Sequence, residues 1–145
     1  MKVSKYFLQS IIREEIDMLG LRDRFITLDL SNIKINVEVA SCPVSRNRGL
    51  MYRNSIKENC GMLFAFPKTE LQSFWMKNTK IPLSIAFINE NGLIINIENM
   101  VPFELNSSYS SGPAKFALEM NQGWFVKNNI RCGDIIKGLP KKGIV

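Results

Sequence analysis

An ammonium, an amide and a hydroxyl occupy three consecutive positions, Lys77-Asn78-Thr79, two residues after the indole of Trp75. With the five-donor guanidinium of Arg46, these groups could grip a carboxylate, a phosphate or a sugar over an aromatic face. Glu119 and Asp134 could complete such a site, or supply the paired carboxylates of a hydrolase, although sequence gives no distance between them. The candidate ligand-binding set is therefore Arg46, Trp75, Lys77, Asn78, Thr79, Glu119 and Asp134. A structural reading competes with it and is favoured. In that reading Asn78 and Thr79 close a turn on backbone groups, while Arg46 and Lys77 pair with Glu119 or Asp134.

The 145 residues contain no histidine. Ser-His-Asp and Cys-His nucleophile activation are thereby excluded, as is any His-ligated zinc or iron site. Cys42, Cys60 and Cys132 are widely spaced, without a C-x-x-C or metal-ligand pattern, and read as small buried hydrophobes in a reducing compartment. Met51, Met62 and Met76, beside Phe64, Phe66, Phe74 and Trp75, read as sulfur–aromatic core filling rather than a thioether metal site. On this reading Trp75→Ala should damage folding more than recognition. No cofactor, no metal and no catalytic residue is expected.

The formal net charge is +6. It is spread over two regions, +3 for residues 40–60 and +4 for residues 120–145, with −3 for residues 81–119 between them. No Lys/Arg run exceeds two residues and no basic–aromatic alternation is present, so a solvated basic face is favoured over nucleic-acid binding. No uninterrupted apolar run is long enough for a membrane span.

The elements that must carry these residues follow from periodicity. Leu8, Ile11, Ile12, Ile16 and Leu19 place one apolar stripe on a helix over residues 5–19, capped by Ser4 and ended by Gly20. From Phe25 onward the period falls to two. Strands are expected over residues 25–30, 33–39, 61–66, 71–76, 81–88, 93–98, 115–120 and 134–139, with hairpin turns at Ser31-Asn32 and Asn91-Gly92. Residues 45–50 and 123–129 can each hold one helical turn. Strands spaced by about 8–12 residues imply an all-β fold, a small β-sandwich or squashed barrel with an N-terminal amphipathic helix. A βαβ crossover is disfavoured, for want of a long helical run between strands. The expected organisation is a helical extension over 1–24 and a β domain over 25–145.

Four segments stand out in order: Arg46-Asn47-Arg48-Gly49-Leu50-Met51, Gly61-Met62-Leu63-Phe64-Ala65-Phe66, Phe74-Trp75-Met76-Lys77-Asn78-Thr79-Lys80-Ile81-Pro82-Leu83, and Leu118-Glu119 with Gly123 and Gly133-Asp134. Their combination over about residues 33–139 resembles the bacterial and archaeal family called domain of unknown function 192. The resemblance implies a small all-β fold and brings no activity, substrate or cofactor. Two departures stand out: Ser84 follows Ile-Pro-Leu where the family usually has an acidic residue, and a charged helical pattern replaces the export signal that many relatives carry.

Two functions follow as expectations. The first is a non-enzymatic interaction or structural module, docked on other protein chains through Leu8, Ile11, Ile12, Ile16 and Leu19 in an assembly such as a virion, inside the cell and off the membrane. The second is binding or processing of a small anionic or sugar-like ligand at the Arg46/Trp75/Lys77/Asn78 end.

Overall fold

Ser31 and Asn32 both take positive φ, 49° and 70°, and this pair of left-handed residues turns β1 (Arg24–Leu30) back on β2 (Ile33–Ala40) in a tight hairpin. The computed structural model describes residues 24–141. The helix expected over residues 5–19, with its stripe Leu8, Ile11, Ile12, Ile16 and Leu19, lies outside the described residues.

After β2 come α1 (Pro43–Arg48), β3 (Cys60–Glu70), β4 (Ser73–Phe74), β5 (Leu83–Ile88), β6 (Ile94–Met100), β7 (Ser108–Tyr109), β8 (Ala114–Asn121), α2 (Trp124–Lys127) and β9 (Ile136–Lys137). Seven strands form one sheet in the order β6-β5-β8-β3-β2-β1-β9, while β4 and β7 pair as a separate ribbon. The large sheet curls into a half-barrel, so the chain is mostly β. Neither described helix is long and apolar enough to cross a membrane.

All neighbours in the sheet are antiparallel except β2 and β3, which run parallel. The βαβ crossover that the sequence disfavours is therefore present between these two strands. Residues 41–59 make the crossover with only six helical residues, because loop can cover the distance that a long helix usually spans. The short helix is still well specified. The Cys42 thiol accepts the Ser45 N–H, Ser45 Oγ accepts the Cys42 N–H, Pro43 opens the first turn and Gly49 ends it.

The central strands are buried on both faces, and alternate residues serve two cores. Leu63 and Ala65 of β3, Ala86 and Ile88 of β5, and Phe116, Leu118 and Met120 of β8 fill one side with β1, β2, Trp124 and Phe125. Met62, Phe64, Leu83, Ile85, Phe87 and Ala117 face the other way, with Met100 of β6, against Leu50, Met76 and Ile81 from the loops that cover the sheet. Glu119 follows the same alternation and falls on this second, loop-covered face.

Candidate functional site

On the loop-covered face, α1, β3 and residues 73–79 enclose a cavity of about 280 Å³. The backbone that builds it is held in unusual conformations. Tyr52, Asn78 and Phe103 have φ of 65°, 55° and 65°, and for Tyr and Phe such values are rare and strained. Hydrogen bonds clamp the three together around one turn. The Tyr52 N–H donates to Asn78 O at 2.9 Å, the Phe103 N–H to Thr79 O at 3.1 Å, and the Met76 N–H to Glu104 O at 3.0 Å. Gly49, at φ 47°, lets the chain leave α1 beside the Phe64 ring, where a Cβ would come within 3.3 Å of it.

Of the seven residues singled out from sequence, Arg46, Trp75, Thr79 and Glu119 line this cavity. Arg46 donates from Nη1 to Ser41 O at 2.7 Å and Ala65 O at 3.1 Å, which ties α1 to β3, and its guanidinium lies 5.5 Å from the Phe66 ring centre. Its Nη2 and Nε have no hydrogen-bond partner among the described residues. Trp75 is 46% exposed, which corrects its assignment to the core. Its ring forms a lip of the cavity and carries the Lys77 ammonium at 5.3 Å. Thr79 is buried, and its hydroxyl donates to Lys77 O at 3.0 Å, the turn-closing role expected for it.

The other residues serve elsewhere. Asn78 supplies the left-handed residue of the turn, and Lys77 covers the indole rather than meeting a carboxylate. Asp134 lies outside the cavity, where its Oδ2 accepts the Arg131 N–H at 2.8 Å in the turn before β9. Neither a pairing of Arg46 or Lys77 with Glu119 or Asp134, nor a carboxylate pair, is formed. Ser84 sits on the opposite sheet face, donating to Asn99 Oδ1 and accepting the Gly123 N–H where α2 begins, so the acidic position it replaces does not face the cavity.

Glu119 is the unusual group. It is 4% exposed, and its side chain has no hydrogen bond or ion pair among the described residues. Burial raises its pKa to about 8, so at neutral pH it is a carboxylic acid with an O–H to donate. The walls beside it are aromatic. Phe74 meets Phe64 edge-on at 4.8 Å and Phe66 at 6.0 Å between ring centres. These rings read from sequence as core, and so they are in part; that their edges also bound a cavity follows only from the turn geometry. Arg48, two residues from Arg46, lines the cavity as well. No group of three His, Cys, Asp or Glu among the described residues could hold a metal ion.

The comparisons place this architecture. A protein from Sinorhizobium meliloti, provisionally assigned as a transcription regulator, superposes with a TM-score of 0.73 at 36% identity, over 80% of this chain and 92% of its own. A protein of unknown function from Novosphingobium aromaticivorans superposes with a TM-score of 0.73 at 28% identity, over 80% of this chain and 85% of its own. Among curated proteins the chain has no match. The family model of domain of unknown function 192, described as an uncharacterised ACR, matches residues 26–138, and the chain belongs to that family.

Proposed function

We propose that the protein is a small-ligand-binding module whose cavity takes an anionic or sugar-like molecule. One observation carries this reading: Glu119 is a buried carboxyl at a cavity wall with no protein partner among the described residues. A buried polar group left unsatisfied costs about 1–3 kcal/mol, and a bound ligand is what would satisfy it. Arg46, with donors to spare, and the half-exposed Trp75 supply a charge and a stacking face beside it.

The test is thermal denaturation of the full chain in the presence of small carboxylates, inorganic phosphate and monosaccharides. A ligand that binds only the folded state raises the melting temperature in proportion to its saturation. Trp75→Ala should leave the unliganded melting temperature nearly unchanged and remove most of the ligand-induced rise. A panel that stabilises nothing, or stabilises the variant as well as the native chain, rules the reading out.

A further inference from the structure

We propose that the cavity receives a small organic carboxylate, held between the uncommitted edge of the Arg46 guanidinium and the buried carboxyl of Glu119, with its body against Phe66, Phe74 and Trp75. The inference rests on the small-ligand reading above and names the class of ligand and the proton on which binding depends.

Three observations select a carboxylate. Arg46 anchors itself through Nη1 alone, so Nη2 and Nε remain as a pair of parallel donors, the geometry that matches two carboxylate oxygens. Apart from Glu119, the charged side chains that line the cavity among the described residues are cationic. Arg46 and Arg48 come from α1, Lys77 lies over the Trp75 ring outside the lining, and Met62 of β3 and Ile85 of β5, the ladder neighbours of Glu119, bring no charge. Glu119 itself stays protonated there, because burial holds its pKa near 8. An ammonium ligand would therefore meet the cationic Arg46 and a neutral acid. A monosaccharide would satisfy the Glu119 O–H but leave the cationic side unused. A carboxylate answers both, accepting from Arg46 and from the acid O–H in a short charge-assisted hydrogen bond. The aromatic walls and a volume of about 280 Å³ suit a body of one ring.

Ionised Glu119 would repel the ligand, so affinity should fall about tenfold per pH unit above the pKa of this group. The experiment is calorimetric titration of the full chain with benzoate and glucuronate at pH 6.5 and 9.5, with benzyl alcohol, glucose and benzylammonium as matched probes. One or both carboxylates should bind at pH 6.5 and lose at least tenfold in affinity at pH 9.5. In Glu119→Gln, whose amide keeps a donor that does not titrate, the affinity should change less than threefold over the same range. The native profile decides alone if that variant fails to fold. Carboxylate binding that is constant or tighter at pH 9.5 overturns the proposal. Binding of only the alcohol, the sugar or the ammonium overturns it too, while leaving the small-ligand reading intact. Binding of none of the five probes defeats the carboxylate proposal, and the small-ligand reading falls with it if inorganic phosphate also leaves the melting temperature unchanged.

Discussion

Met62 and Glu119 are cross-strand partners in the β3–β8 ladder, and Ile85 of β5 stands opposite Glu119 on its other side. The carboxyl is thus placed between two apolar side chains, on a face it shares with the apolar Phe64, Ala117, Leu83 and Phe87. A leucine or methionine would satisfy that environment better, since an uncompensated buried carboxyl has only desolvation to show for its position. Local rules broken in this way concentrate at functional sites.

The first prediction concerns pH and stability. The pKa of Glu119 rises from an ordinary 4.5 to about 8 on folding, so between those values the folded state keeps a proton that the unfolded state has lost. The contribution of Glu119 to stability is full below pH 4.5, declines through that window and is flat above pH 8. The decline is about 1.4 kcal/mol per pH unit. Glu119→Gln should therefore be more stable than the native chain by a few kcal/mol at pH 9, and by much less at pH 5. Urea midpoints at pH 5, 7 and 9 measure this, and parallel pH profiles for the two proteins would refute it.

The two tryptophans should behave oppositely. Trp124 is 3% exposed, meets Phe125 edge-on and donates from Nε1 to Asn59 Oδ1 at 2.9 Å, so Trp124→Ala should cost about 3–5 kcal/mol. Trp75→Ala removes a half-exposed ring and should shift the melting temperature by only a few degrees. Calorimetric scans of both variants check the pair, and a larger loss for Trp75→Ala would return that indole to the core.

Much of this fold was legible from period and turn chemistry. The β1–β2 alternation, the positive-φ pair at Ser31-Asn32 and the short helices near residues 45 and 124 all appear where the pattern puts them. Other features depend on contacts that pattern does not encode. The strand expected over residues 61–66 runs on past Pro67 to Glu70 through a register shift after Ala65, since an irregular strand tolerates a residue without an N–H. The parallel β2–β3 pairing left no signal because a loop does the work of a helix. Residue types singled out Arg46, Trp75, Thr79 and Glu119, which line the cavity, but could not separate them from Lys77, Asn78 and Asp134, which do not. Trp75 and Trp124 look alike in sequence, and only the clamped turn at residues 76–79 turns one outward.

A chain of residues 24–141 alone should fold. Both hydrophobic clusters are built within it, and the family match ends inside it at both ends. Circular dichroism and a cooperative thermal transition are the readouts. A truncated chain that melts without cooperativity would mean that residues 1–23 or 142–145 supply part of the core.

The sharpest packing test is at Gly61, which pairs with Met120 in the ladder. A Cβ built there would land on the Glu119 carbonyl oxygen and the Met120 sulfur, so the strands could accept alanine only by moving apart. One of the two contacts is backbone, which cannot rotate away as a side chain can. Gly61→Ala should therefore cost at least the 1–3 kcal/mol, roughly, of an overpacked core, and displace Glu119 from the cavity wall at the same time. Gly112→Ala is the control, because nothing lies within 4 Å of a Cβ at that position, and it should leave stability within about 0.5 kcal/mol. Guanidinium midpoints of the two variants decide the matter: if Gly61→Ala unfolds at the same denaturant concentration as Gly112→Ala, the close approach of β3 to β8 beside Glu119 is wrong.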